Sequence, residues 1–311
     1  MTPPKTSKPI ESDIILIRYG EIYLKSSYVR NQFEHTLMTN IHNHCKTHAI
    51  TATVTRDKGR LYLQTNNIPQ ALIILSTVFG ITSFNSATTT TASQEDITTT
   101  ATQILNPLLT NKTSFALRVT RTGSHPYTSQ DIAIQVGNTI VNTTHAPVDL
   151  TTPDKELYIE IRHKHAFLFT QKIPGPGGLP LGTQGHVLII IDTPQSLLAA
   201  WHLMKRGCTP HFLLTTPQLQ KNLTSFLTKW YPTSTPSIHL LQKDPLFDTI
   251  THYAKKHKCD AIITGHTLTN DSDIQTLHHY KTHLHLPVLH PLIAKSPQDL
   301  QQQIQEVGIC F

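Results

Sequence analysis

The stretch HVLIIIDTPQSLLAAWHLMKRGC, residues 186–208, decides how the second half of the chain folds. Val187 to Ile191 form a continuous apolar run, the pattern of a parallel strand covered on both faces. Leu197 to Lys205 predict a helix, and Gly207 ends it. Only DTPQS, residues 192–196, is left to make the turn between them. Outward to the C-terminus the same alternation continues: HFLLTT reads as a strand, DTITHYAKKHK as a helix and CDAIITGHT as a third strand. LPVLHPLI and the helix SPQDLQQQIQEVG close the chain. Strand and helix in turn, with short links, predict a doubly wound parallel sheet whose ligands sit beyond the C-terminal strand ends.

Outward to the N-terminus, IPGPGGLPLG carries four glycines and three prolines between Pro174 and Gly182, so a linker or shaped loop is predicted there. Before it the texture is α+β. DIILIRYGEIYLK reads as a strand that turns at Arg18 to Gly20. Val29, Phe33, Leu37 and Ile41 recur at steps of four and predict a helix from Tyr28 to about Cys45. TATVTRDKGRLYLQT predicts a hairpin around Asp57 to Gly59, and IPQALIILSTVFGI a helix up to Gly80. Strand, helix, hairpin and helix within 80 residues suggest a small sandwich of ferredoxin-like type. The Thr-rich stretch FNSATTTTASQED is expected to mark a boundary, with a helix from about Ser93. A strand SFALRVTRTG, a helix from Ser129 and paired strands in ELYIEIRHKHAFLFTQKI follow.

Composition narrows the function. Of 311 residues 38% are apolar and 15% charged, so the chain is neither a disordered tail nor a membrane bundle. No run nears the roughly 20 apolar residues of a spanning helix, and MTPPKTSKPIESD lacks a signal peptide's apolar centre, so a cytoplasmic address with no membrane partner is expected. Cys45, Cys208, Cys259 and Cys310 lie far apart, without the CxxC pairs of a disulfide or zinc framework. The formal charge of +6 is concentrated early: residues 1–80 carry nine basic and five acidic side chains, residues 81–175 seven of each, and residues 176–311 ten and eight. Such a balance favours a polyanionic partner. The cluster His278, His279, His283 and His285 could hold zinc or nickel, with His283 and His285 on one side if extended; with histidine abundant throughout, compositional bias is the preferred reading and no metal site is assigned.

Three strings carry a resemblance. RYGEIYLKSSYVR (18–30), then RTGSHPYTSQDI (121–132) with VDLTTPDKELYIEIRHKHAFLFTQKIPGPGGLPLGT (148–183), then LLAAWHLMKRGC (197–208) resemble the tRNA 4-thiouridine synthetase family in order and spacing. The likeness spans nearly the whole chain. It implies a ferredoxin-like domain at 1–80 and a THUMP domain at 81–175 that grip tRNA. It also implies a PP-loop ATP-pyrophosphatase-like domain at 176–311, which in that family adenylates a uridine before sulfur transfer. Family relatives are often dimeric.

Basic side chains on a rigid α+β surface suit A-form RNA, which is read through shape, phosphates and 2′-hydroxyls. Arg18, Lys25 and Arg30 are the candidates in the first domain, and Arg118, Arg121 and Lys172 in the second, with Tyr127 for stacking. The alternative is that Arg18 and Arg30 pair with Glu21 or Glu34 and serve only the fold.

The second half departs from the family pattern. A PP-loop SGGxDS offers bare backbone N–H groups and a helix N-terminus to phosphate. Here DTPQS is one residue short: Ser196 matches the last serine, Gln195 stands in the acid's place, both glycines are gone, and Pro194 has no N–H. Asp192 adds a negative charge near where phosphate would lie, and the missing acid removes a Mg²⁺ ligand. The family's nucleotide-binding segment resembles TGHTLTNDSDIQTL, where Gly265 and Gln275 match, His266 replaces a carboxylate, and Asn270 or its neighbour replaces a glycine. Lys243 matches a basic nucleotide-contacting position by spacing alone. An adenine site would survive through Ile190, Ile191, Leu214, Thr215, Gly265 and Gln275, because apolar and backbone contacts tolerate substitution. Whether ATP and Mg²⁺ still bind is left open. The resemblance implies a reactive cysteine downstream of the last helix, and Cys310 is the thiol nearest that place. Three readings follow: a tRNA-binding module whose catalysis has decayed or depends on a separate catalytic or sulfur-carrier protein; a working ATP-dependent tRNA uracil 4-sulfurtransferase with an unusual loop; or a metal-responsive or protein-interaction scaffold.

Overall fold

A computed structural model describes residues 12–57, 59–233, 235–241, 245–268 and 271–309. By contact the chain divides into two units. The first holds the described residues up to Arg18 with Thr51–Ile73 and Ser83–Pro174; the second holds Tyr19–Ile50, Ile74–Thr82 and the described residues from Gly175 onward.

The first eight strands form one mixed sheet. They are β1 (Ile14–Tyr19), β2 (Ala52–Asp57), β3 (Arg60–Thr65), β4 (Ile81–Thr91), β5 (Phe115–Thr122), β6 (Lys155–Arg162), β7 (His165–Phe169) and β8 (Ile173–Pro174). Their order is β2-β3-β1-β4-β7-β6-β5, with β8 on β4. The predicted hairpin is β2 and β3, which pair antiparallel from Ala52 opposite Thr65 to Asp57 opposite Arg60, with Gly59 at φ +84° in the turn. Helix α1 (Ser27–Thr47) buries Phe33, Leu37 and Ile41, the residues that recur at steps of four. Helix α2 (Ile68–Leu75) ends five residues before Gly80, because Thr77 and Val78 close a tighter turn back onto Ile74 and Leu75.

The Thr-rich stretch read as a boundary also carries the longest strand among the described residues. β4 pairs antiparallel with β7 from Thr88 opposite Leu168 to Thr91 opposite His165. Threonine is β-branched and suits a half-buried pleat, which outweighs its resemblance to linker composition. Helix α3 (Gln94–Leu105) starts at the Ser93 cap as expected, and α4 (Ser129–Thr144) at a Thr128–Asp131 capping box. Their inner residues Ile97, Ala101, Ile132 and Val136 join Phe115, Leu157 and Ile159 of the sheet in one core.

The second sheet is parallel throughout: β9 (His186–Ile191), β10 (Thr209–Leu214), β11 (Ile238–Leu240), β12 (Ala261–Ile263) and β13 (Val288–Leu289), in the order β11-β10-β9-β12-β13. Helices α5 (Ser196–Lys205), α6 (Gln220–Trp230), α7 (Leu246–Lys256), α8 (Asp271–His283) and α9 (Pro297–Val307) follow the strands. One core, built on Ile189, Ile191, Phe212 and Leu223, and another, on Leu188, Ile190, Leu213 and Ile250, take opposite faces of the same strands, which is why β9 reads apolar without alternation. Among the described residues no helix is long and apolar enough to cross a membrane.

Candidate functional site

β9 lies between β10, reached through α5, and β12, reached by the return crossing, so the strand order reverses beside its C-terminal end. That is the crevice where a doubly wound sheet places its ligand. Ile190 and Ile191 end β9, and Leu214 lies level with Ile191 on β10. Thr215 donates from its N–H to the Ile191 carbonyl at 3.0 Å. Gly265 follows β12 against the turn: a Cβ there would come 2.7 Å from Ser196 Cα, a backbone approach that only glycine allows. The structure therefore brings together Ile190, Ile191, Ser196, Leu214, Thr215 and Gly265. Gln275 sits on the exposed side of α8, while Lys243, Asn270 and Cys310 lie outside the described residues.

The turn itself is closed on its own hydrogen bonds. Ser196 Oγ donates to Asp192 Oδ1 at 2.5 Å, and the Thr193 N–H donates to Ser196 Oγ at 3.4 Å. The amides of Ser196, Leu197 and Leu198 donate to the carbonyls of Thr193, Pro194 and Gln195 at 3.1, 3.2 and 2.9 Å. Helix N-termini usually leave such donors unspent, and those donors are what hold a phosphate. Here the N–H groups of Thr193, Ser196, Leu197 and Leu198 are all committed, and Pro194 has none. Gln195 Nε2, in the place of the family's acid, donates to the Gly265 carbonyl at 3.2 Å.

Across the crevice His266 Nε2 stands 3.9 Å from Asp192 Oδ2 and, among the described residues, has no hydrogen-bond partner. Tyr280 lies beside His266, its hydroxyl pushed up to about 12 by burial, with the Asp192 charge adding to the effect. Thr264 Oγ1 and His290 Nδ1 are 2.6 Å apart; burial first, and His266 second, push the His290 imidazole below its usual range. The crevice thus offers one carboxylate and two imidazoles.

The candidate RNA contacts divide. Arg18 is only 9% exposed. Its Nη2 donates to Glu160 Oε2 at 2.7 Å and its Nη1 to Asn85 Oδ1 at 2.6 Å, and its guanidinium lies over the Phe169 ring. Arg60 and Arg162 meet the other Glu160 oxygen at 2.9 and 3.3 Å. Burial works to raise the Glu160 carboxyl, but the charges of Arg60, Arg18 and Arg162 outweigh it and hold it below the usual range. Arg18 is therefore part of an interior ion network, with Glu160 as its carboxylate partner. Tyr127, expected to stack on RNA, is buried in the core with its hydroxyl donating to the Ala92 carbonyl, so no base can reach its ring. Lys25, Arg121 and Lys172 are exposed and Arg30 is half-buried. Arg118 is half-buried, and its guanidinium donates to Glu156 at 2.8 Å and to the Leu150 carbonyl at 2.9 Å.

Of the clustered histidines, His278, His279 and His283 lie on α8 and His285 lies past its end, so the segment is not the extended run that would set His283 and His285 on one side. His279 and His283 fall one turn apart on α8, against Phe247. Among the described residues no three His, Cys, Asp or Glu side chains converge as a metal site requires. Cys45, Cys208 and Cys259 are buried, and burial pushes the Cys45 and Cys259 thiols up to about 11.

Residues 14–85 match the ThiI ferredoxin-like domain, residues 91–171 the THUMP domain, and residues 214–310 the thiamine biosynthesis protein (ThiI) family. A probable tRNA sulfurtransferase of Methanobrevibacter smithii is 32% identical over 95% of this chain and 86% of its own length. The chain belongs to the ThiI family of tRNA sulfurtransferases. Another member, the tRNA sulfurtransferase of Pyrobaculum aerophilum, is 28% identical over 95% of this chain and 67% of its own. Among solved structures, a Pyrococcus horikoshii protein superposes at a TM-score of 0.82 with 28% identity, covering 95% of this chain and 99% of the other. A 4-thiouridine synthetase, solved as an RNA complex with bound ATP, superposes at 0.80 with 19% identity over 96% and 86%, a likeness of fold. The ThiI fold is thus present from the mixed sheet to the parallel one.

Proposed function

We propose that this ThiI-family chain binds tRNA through its N-terminal half and no longer holds the phosphates of ATP at the β9–α5 turn, so that thiolation chemistry is lost from it or supplied by a separate catalytic or sulfur-carrier protein. The observation that carries the reading is the state of the turn: four amides spent inside it, a proline without one, and a carboxylate at its mouth. A phosphate there would meet the Asp192 carboxylate with most of the turn's amides already spent. The buried, weakly acidic thiols Cys45, Cys208 and Cys259 support it from a second side, since the thiolate is the form that carries sulfur chemistry.

The functional divisions are 1–80 for the ferredoxin-like domain, 81–175 for THUMP and 176–311 for the PP-loop-like domain. Lys25, Arg30, Arg118, Arg121 and Lys172 are the proposed phosphate contacts, and Arg18 serves the mixed sheet through Glu160. Pyrophosphate release from ATP in the presence of tRNA tests the proposal: none is expected, with or without tRNA. A tRNA-stimulated release abolished by Ser196→Ala would establish a working sulfurtransferase instead.

A further inference from the structure

A second site lies in the C-terminal unit, away from the β9–α5 turn. Three neighbouring positions of helix α1, Asn40, Asn43 and His44, line a cavity of about 200 Å³ whose other walls include Phe79, Trp230 and Tyr231. Its volume falls below the roughly 300 Å³ at which drug-sized pockets begin, which sets its occupant at one ring or a fused pair.

The polar groups are unusual for their position. His44 is 6% exposed, and its Nδ1 has no hydrogen-bond partner among the described residues. A buried, unpaired ring nitrogen costs roughly 1–3 kcal/mol, so a site that keeps one has a use for it. Asn40 spends its amide N–H on the Leu181 carbonyl at 3.0 Å, which leaves its Oδ1 as an acceptor. Asn43 adds a carboxamide one turn away. Burial, with His48 adding to it, pushes the His44 imidazole down to about 4, so it is neutral at physiological pH. Among the described residues no Lys, Arg, Asp or Glu lines the cavity.

We infer that this cavity binds a single neutral heterocyclic base, that of a nucleoside or of an unpaired nucleotide. Two carboxamides and a neutral imidazole supply the alternating donors and acceptors that match a base edge, and aromatic walls suit its apolar faces. With no cation present, a phosphate or carboxylate would have no counter-charge inside, so any phosphate of the ligand stays at the mouth. The inference does not depend on what the β9–α5 turn holds.

Calorimetric titration of the full chain with adenosine, guanosine, cytidine, uridine and ribose tests it. At least one nucleoside is expected to saturate while ribose does not, and Asn43→Leu, on the exposed side of the cavity, is expected to weaken that nucleoside tenfold or more. His44→Leu should abolish it; should that variant fail to fold, Asn43→Leu decides alone. Competition by a short single-stranded oligonucleotide would identify RNA as the source of the base, and its absence a free nucleoside. Failure of all four nucleosides to bind, equal binding of ribose, or an unchanged affinity in Asn43→Leu would overturn the inference.

Discussion

At the scale of single residues, Glu160 holds more structure than any basic side chain around it. Arg18, Arg60 and Arg162 converge on one carboxylate, and a buried charge left without its partner is costly. Glu160→Ala is expected to destabilise the fold by about 3–5 kcal/mol, read as a fall in the denaturant midpoint. A change under 1 kcal/mol would show the network to be incidental. Asp192 makes the opposite case. Its charge opposes phosphate, yet the amides behind it are already committed, so Asp192→Ala is expected to leave ATP binding undetectable by calorimetry. Recovery of binding would show that the charge alone had closed the site. The sequence pointed to Arg18 but not to its role, because Glu160 lies 142 positions away and nothing local marks the pair. Tyr127 was legible only as an aromatic beside a helix cap. That it faces the core depends on α3 and α4 meeting the sheet.

Between residue and domain stand the elements, and here the turn after β12 is the tightest. Gly265→Ala would set a Cβ 2.7 Å from the Ser196 backbone, where no flexible side-chain end can give way. A loss of about 1–3 kcal/mol is expected in urea unfolding, the range for overpacked sites. The histidines give the strands a pH response. Burial first, then neighbouring histidines, pushes His211 on β10 down to about 4; on β11, burial, His257 and Lys256 do the same to His239. Their values in the unfolded chain stay near 6.5, so protons bind the unfolded state first. The stability they contribute is complete above pH 6.5 and is lost as pH falls towards 4. Thermal melts should drop steadily across that window, and less so in His211→Phe. Most of these elements were legible beforehand, because β9, α1, α3 and α9 carry strong periodicity or caps. β4 was not, since a Thr-rich strand and a Thr-rich linker have the same composition and only pairing with β7 separates them. The conformation of segment 278–285 was not legible for a related reason: histidine carries no period of its own, and α8 reaches His283.

For the whole molecule, the family fold was legible because three motif strings span both halves, and the departure of DTPQS from the PP-loop pattern because that chemistry needs particular residues in a particular order. What the spacing could not reveal was that the amides of Thr193, Ser196, Leu197 and Leu198 are spent within the turn. RNA binding, carried by exposed cations, should fall steeply with salt, and the double variant Lys25→Ala with Arg121→Ala should flatten that dependence by roughly two phosphate contacts in a filter-binding series. An unchanged slope would move the RNA surface elsewhere. The two halves of the account meet in one measurement: calorimetric titration of the full chain with ATP and Mg²⁺, alone and with saturating tRNA. The account predicts heat from tRNA binding and none from ATP in either condition; stoichiometric, saturable ATP binding in the presence of tRNA would contradict it.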